Sequence, residues 1–270
     1  MKNIKEKGFI ILDKPKGLTS QDTVTKVKEK LNVEKAGHAG TLDKEVTGVL
    51  IIALNKATKL MPLLDKLDKE YIGKAHLHKD IELKELKETI NKKFLGKIRQ
   101  IPPRKSRVAR IEREREIYGF DVTGKKNNYF DFKVHCEKGT YIRKLMDDLG
   151  KELNVGCQMT ELRRTKQGHF LIAEAVTIED LNEKNIIKAE KIIKKVSSII
   201  FVDGDAEKKL REGKFIEAKE IKKMKGKFEK NQVIAVFNEK KEVIGLARTF
   251  FSSEEIKKQE GFVLKPERIL

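Results

Sequence analysis

Along the chain, short apolar runs alternate with charged stretches in which apolar residues recur at helical spacing. GFIILD (8–13) is an apolar run stopped by Lys14-Pro15-Lys16-Gly17, which predicts a strand and then a turn. Thr19 or Ser20 stands at a capping position ahead of Val24, Val27 and Leu31, whose spacing predicts a helix. GVLIIAL (48–54) predicts a buried strand and KEYIGKAHLH (69–78) an alternating one. Leu83, Leu86, Ile90 and Phe94 fall on one helix face. KIRQIPPRKSR reads as a loop, RVARIEREREIYGFDV as a strand pair, and YFDFKVHC (129–136) as a strand burying Phe130, Phe132, Val134 and Cys136. Gly139-Thr140 opens a helix striped by Ile142, Leu145, Met146, Leu149 and Leu153.

The pattern changes near residue 195. TIEDLNEKNIIKAEKIIKKVSS predicts a lysine-rich helix, after which IIFVDGDAEKKLREGKF, NQVIAVFN, EVIGLARTF and FVLKPERIL read as short strands between Gly, Asn and charged turns. Irregular alternation of strands and helices predicts an α+β fold: a mixed sheet flanked by helices, then a small β-rich module. The expected domains are residues 1–197 and 198–270.

Charge narrows the class. Sixty Lys and Arg against 42 Asp and Glu give a net charge of +18 and a pI near 9.6, an excess that favours a polyanionic partner, RNA or DNA before membrane. A compositional or thermal bias toward lysine is the plainer alternative, but such a bias raises Lys and Glu together, whereas this excess is one-sided. No stretch has the roughly 20 apolar residues of a membrane helix, and MKNIKEKGFIILDKPKG lacks a signal peptide's apolar region and cleavage site. An intracellular, cytoplasmic protein is expected. Two cysteines without CxxC spacing predict neither a disulfide framework nor a zinc ribbon. His76 and His78 lie two apart on a strand with no third ligand in view, so no metal is expected.

One segment stands apart chemically. GHAGTLDKEVTG (37–48) holds Asp43 among three glycines, two threonines and His38, immediately before the buried run VLIIAL. Such a loop suits a binding cleft, although a loop aspartate more often caps a turn. Neither GxGxxG nor GxxxxGK[ST] is present, so a nucleotide-cradling loop is not indicated.

GHAGTLDKEVTGVL closely resembles the catalytic motif of the TruB family of pseudouridine synthases. GFIILDKPKGLTS, KEYIGKAHLH, QIPPRKSRVAR, GTYIRKLMDDLG and MTELRRTKQGHF follow the family's order, and the segment from IIFVDGDAEKKLREG to LKPERIL is similar to a PUA RNA-binding domain. AHLHKD, the direct run from QIPPRKSRVAR into EREREIYGFDV, and KPERIL resemble the archaeal and eukaryotic dyskerin branch, the catalytic subunit of box H/ACA ribonucleoproteins. The resemblance implies isomerisation of uridine to pseudouridine, without metal or small-molecule cofactor. It further implies rRNA or tRNA as substrate, a guide H/ACA RNA that chooses the site, and small accessory proteins. The alternatives are a stand-alone tRNA pseudouridine-55 synthase and a non-catalytic RNA-binding assembly protein.

By the same resemblance Asp43 is the nucleophile or base, Tyr71 stacks on a flipped base and takes part in proton transfer, and Arg143 pairs with the aspartate. Leu162 packs under the base and His38 helps hold the place of the extruded nucleotide, although periodicity alone makes Leu162 and Tyr71 core residues. Lys14 and Pro15 match the family's KP pair that supports the loop. Lys14 is also counted with the substrate-binding side, beside Arg104, Lys105, Arg107, Arg163, Arg164 and Lys166 as phosphate contacts. Three departures stand out. Lys44-Glu45 follow Asp43 where many relatives have proline, Ala39 replaces a common Ser or Thr, and MKNIKEK is shorter than the N-terminal extension that often completes a dyskerin-like PUA module.

Overall fold

The computed structural model describes residue 4, residues 6–102 and residues 109–270. The first sheet holds β1 (Gly8–Lys14), β2 (Ala36–Ala39), β3 (Thr47–Leu54), β4 (Lys69–Leu77), β5 (Gly96–Gln100), β6 (Arg113–Lys126), β7 (Tyr129–Cys136), β8 (Cys157–Gln167), β9 (Phe170–Leu171) and β10 (Ile187–Lys188). Its strand order is β10-β1-β3-β8-β4-β7-β6-β5, with β2 on β3 and β9 on β8. Helices α1 (Ser20–Leu31), α2 (Met61–Asp65), α3 (Leu83–Lys93), α4 (Ile142–Glu152) and α5 (Ala189–Val196) are interspersed. A second sheet, with α6 (Gly204–Arg211), contains β11 (Ile199–Val202), β12 (Ile216–Glu217), β13 (Ile221–Lys225), β14 (Val233–Phe237), β15 (Val243–Thr249) and β16 (Phe262–Ile269), in the order β12-β16-β15-β14-β11-β13.

Where local pattern was strong, structure follows it. Phe130, Phe132, Val134 and Cys136 are buried along β7, and Val24, Val27 and Leu31 along α1. The cap of α1 is Thr19, whose hydroxyl accepts from Asp22 N at 3.0 Å while Asp22 Oδ2 accepts from Thr19 N at 3.0 Å.

Five expectations change. Ala36–Ala39 is a strand, β2, paired antiparallel with β3 from Ala36↔Leu54 to Ala39↔Ile51. Gly96–Gln100 is also a strand, β5, pairing with β6. β6 itself is one long strand where a strand pair was expected. The lysine-rich helix spans only α5, because Thr177, Asp180, Asn182 and Asn185 bond backbone and each other in local turns, and Ile187–Lys188 joins β1 as β10. In the second sheet GDAEKKLR is α6, started by Asp203, whose side chain accepts from Ala206 N at 2.9 Å.

The central seam is the parallel contact of β3 with β8, where Thr47 faces Arg163 and Gly48 faces Arg164. Gly48 has φ +107°, and a Cβ there would lie 2.1 Å from the Arg164 carbonyl oxygen. No other residue fits that seam. The two sheets share one apolar cluster: Phe9, Ile11, Leu64, Ala189 and Ile193 pack with Ile199, Ala235, Phe237, Val243 and Leu246. Lys7 adds a polar stitch, pairing with Glu190 at 3.2 Å and donating to Val243 O at 3.0 Å, while Val243 N donates to Glu190 at 3.2 Å.

Candidate active site

The segment between β2 and β3 carries Asp43, and buried side chains hold it at both ends. Ser20, the first residue of α1, clamps Leu42: its hydroxyl donates to Leu42 O at 2.9 Å and accepts from Leu42 N at 2.8 Å. Gly40 N donates to Asp65 Oδ1 at 2.9 Å, and Gly40 O accepts from Arg164 Nη2 at 2.8 Å. Gln167 Nε2 donates to Ala39 O and to Leu64 O, each at 3.2 Å. Lys14, fully buried, donates to the carbonyls of Pro15 at 2.8 Å, Leu18 at 2.6 Å and Lys44 at 3.3 Å. Gly17 N adds a 3.0 Å bond to Lys44 O. A loop held this way presents its carboxylate in one position.

Asp43 closes a turn with its backbone, accepting from Val46 N at 3.1 Å. Its side chain instead receives the guanidinium of Arg143, one hundred residues on. Arg143 is the second residue of α4, and Gln100 of β5 fixes the approach to that helix: Gln100 Nε2 donates to Tyr141 O at 3.2 Å, and Tyr141 N donates to Gln100 Oε1 at 3.0 Å. Both members of the pair are 59% exposed at the side chain. An exposed ion pair contributes only ~0–1 kcal/mol to stability, so the fold does not need it. The arrangement orients one carboxylate oxygen and leaves the other open to a substrate.

Tyr71 lies on β4, 8% exposed, opposite Val134 of β7 and Arg164 of β8. Burial pushes its phenol above the usual tyrosine value, Arg164 pulls it back, and the charge of Asp43 is near enough to push it further up. Asp43, Tyr71 and Arg143 therefore share one neighbourhood. Two residues before Tyr71, Lys69 is buried and donates to the carbonyls of Asp65 and Leu67. Burial lowers its ammonium from 10.5 to about 8.

A stability prediction follows from Lys69. Between pH 8 and 10 the folded chain sheds this proton while the unfolded chain retains it, so the unfolded state binds more protons and stability rises with pH. Lys69→Met removes this contribution. Thermal melts at pH 7, 8.5 and 10 should show the wild type gaining on the variant by on the order of 5 °C across that window. Parallel profiles would mean that the ammonium is not desolvated.

Other expected contacts fall differently. Arg164 is 1% exposed and its guanidinium donates to Val49 O at 2.7 Å as well as to Gly40 O, so it does not reach a phosphate. Arg163, the neighbouring residue, makes a bidentate pair with Asp13 at 3.0 and 2.6 Å and bonds Thr47 Oγ1 at 3.2 Å, which ties β8 to β1 and β3. Lys14 is likewise a loop brace and not a substrate contact, because its three protons already have carbonyl partners and burial lowers its pKa. Arg104, Lys105 and Arg107 lie outside the described residues. Lys166 is half-buried on β8. Leu162 is half-buried against the main apolar cluster, opposite Gly73 of β4.

His38 sits on β2, its pKa lowered by burial, so its ring is neutral at pH 7, and among the described residues its Nδ1 has no hydrogen-bond partner. The His76 ring packs tilted against Tyr129, centroids 4.6 Å apart, with its centroid 5.8 Å from that of His78; no group of three or more metal-ligating side chains occurs among the described residues. Cys136 and Cys157 are free and buried, each thiol pushed up to about 12 by burial. No helix of the described residues is long and apolar enough to cross a membrane. Ser20, Gln100, Asp65 and Gln167, which hold the site together, were not singled out for this role, although all but Asp65 lie within the family-like segments. Their contacts span 22 to 128 positions along the chain, so local periodicity does not show which partners they reach.

Comparison with known proteins bears on this geometry. Residues 28–142 match the TruB family pseudouridylate synthase N-terminal domain, residues 143–201 the tRNA pseudouridylate synthase B C-terminal domain, and residues 198–270 the PUA domain. A probable tRNA pseudouridine synthase B of Pyrobaculum calidifontis is 37% identical over 97% of this chain and 83% of its own length. The chain belongs to the TruB family of pseudouridine synthases. It is accordingly an isomerase that acts on RNA. A second family member, the probable tRNA pseudouridine synthase B of Methanosarcina barkeri, is 38% identical over 98% of the chain and 82% of its own length. Among solved structures, the Cbf5 chain of a Cbf5-Nop10-Gar1 complex superposes with a TM-score of 0.89 at 33% identity, covering 97% of this chain and 84% of that one. An archaeal box H/ACA sRNP Nop10-Cbf5 complex gives a TM-score of 0.86 at 31% identity, with 98% and 86% covered. The α+β family fold thus extends through both sheets.

Proposed function

We propose that this TruB family member works as the catalytic subunit of a guide-RNA-directed H/ACA ribonucleoprotein acting on rRNA, with residues 1–197 as the catalytic domain and 198–270 as the RNA-binding PUA domain. The observation that carries the reading is the orientation of Asp43 by Arg143 beside buried Tyr71, in a chain whose likeness to Cbf5 structures runs over both sheets. In this reading Asp43 is nucleophile or general base, Arg143 orients it, and Tyr71 and Leu162 bracket the flipped uracil. His38, whose pKa burial lowers, helps hold the place of the extruded nucleotide in this reading. The reaction breaks the bond from N1 to the ribose, turns the base, joins C5 to the ribose, releases the C5 proton and leaves N1 protonated, so product and substrate are isomers. It is redox-neutral and consumes no second substrate. Small accessory proteins are expected partners, since the similar Cbf5 chains were solved with Nop10 and, in one complex, with Gar1 as well. The net charge of +18 suits a surface that holds RNA backbone.

A second reading, stand-alone modification of tRNA, is favoured by the names of the curated relatives, probable tRNA pseudouridine synthases B. Tritium release from C5-tritiated uridine separates the two. Guide dependence predicts release from a guided rRNA target only when guide RNA and accessory proteins are added. Release from tRNA by the protein alone would overturn obligatory guidance.

A further inference from the structure

Arg164 is a charge buried in the middle of the site. Its side chain is among the largest fully buried in the molecule, and among the described residues it forms no ion pair with a carboxylate. Burying a guanidinium costs several kcal/mol unless partners offset it, and here the offsets are the neutral carbonyls of Gly40 and Val49 together with the Tyr71 hydroxyl. An apolar side chain would fill the same volume without that cost. The charge is therefore retained for what surrounds it. Gly40 heads the loop that ends in Asp43, Val49 lies on β3 just past the seam, and Tyr71 faces Arg164 across β4 and β8. One rigid fork thus touches both halves of the proposed catalytic constellation.

We infer that Arg164 is a positioning residue for the isomerisation: it pins the loop of Asp43 through Gly40 and sets the Tyr71 hydroxyl against the same point, so that carboxylate and phenol meet a flipped uridine in fixed register. This rests on the reading of Asp43 and Tyr71 as the groups that touch the substrate. The charged neighbourhood fits. Lys14 of β1, His38 of β2 and Lys69 of β4 are all biased toward their neutral forms, by burial first and by Arg164 in addition. Arg164, directly opposite Tyr71 across β4 and β8, is the cation that favours negative charge at the Tyr71 oxygen, which burial and Asp43 disfavour.

The test uses the full-length chain, in whichever assembly supports release by the wild type, with single-turnover tritium release and RNA affinity measured separately. Arg164→Lys keeps the charge without the fork, and Arg164→Met keeps neither. Release should slow on the order of 10-fold for Arg164→Lys and 100-fold for Arg164→Met, with RNA affinity within about 2-fold of wild type. Combined with Tyr71→Phe, either substitution should slow release by less than the product of the separate losses, since the part of the Arg164 effect that runs through the Tyr71 hydroxyl is already lost in that background, while the part that runs through Gly40 remains. Multiplicative losses, a parallel loss of RNA binding, or failure of both Arg164 variants to fold would overturn the proposal and leave Arg164 a scaffold residue. A Tyr71→Phe chain as fast as wild type would instead remove the role of Tyr71 itself, and this inference with it.

Discussion

Asp43→Asn should abolish tritium release, by at least about 10³-fold, while leaving RNA affinity within about 2-fold of wild type. Both numbers follow from where the carboxylate sits. Asp43 closes its turn with a backbone carbonyl, so an amide side chain leaves the turn unchanged. Its side chain is bonded to Arg143 in an exposed pair, and losing one charge there shifts stability by ~0–1 kcal/mol at most. What asparagine lacks is the charge needed to attack or to accept a proton. The result is read from single-turnover release, filter binding and thermal melts on the same preparation. An equal fall in binding and release, or a melting temperature lowered by many degrees, would make Asp43 a structural residue.

Gly48→Ala should cost at least about 4 kcal/mol, a large part of the stability of an ordinary domain. The added Cβ would meet backbone, 2.1 Å from the Arg164 carbonyl oxygen and 2.7 Å from its nitrogen, and the residue sits at φ +107°. A flexible side chain could move aside, but two paired strands cannot separate without opening the contact of β3 with β8. Gly17→Ala is the control: its φ is +85° but nothing lies within 4 Å of the added carbon, so it should cost only about 1–2 kcal/mol from backbone strain. Urea unfolding at pH 7 measures both. Equal stability of the two variants would show that the seam relaxes and that crowding at Gly48 is not what selects glycine.

How much of this was legible in the sequence depends on whether the relevant interaction is local. The buried face of β7 and the stripe of α4 were readable because one residue in two, or in three and four, repeats within a few turns of chain. β2 was not, since Ala-Gly-His-Ala offers no alternation and takes its identity from β3 alongside. β5 was obscured by its basic and proline-containing surroundings, and its one informative residue, Gln100, is buried for a contact with Tyr141 forty-one positions away. Arg163 and Arg164 illustrate the limit best. They are identical letters side by side, yet one makes a half-exposed pair with Asp13 and the other is buried under the Asp43 loop. Composition assigns both to RNA; only three-dimensional packing separates them. Asp43 itself read as a turn residue on local grounds, and the turn is real, formed by its backbone. The ordered family motifs singled out its side chain, and the geometry places Arg143 against it.

The apolar cluster that joins the two sheets carries a further consequence. Because Phe9, Leu64 and Ile193 are buried together with Ile199, Phe237 and Leu246, each half completes the interior of the other. Melting of the C-terminal sheet would then strip cover from the helix α5 and the strand β1 whose end bears Lys14. Thermal loss of catalysis and thermal loss of RNA retention are therefore expected to run together in one melt, followed by tritium release and filter binding on the same samples.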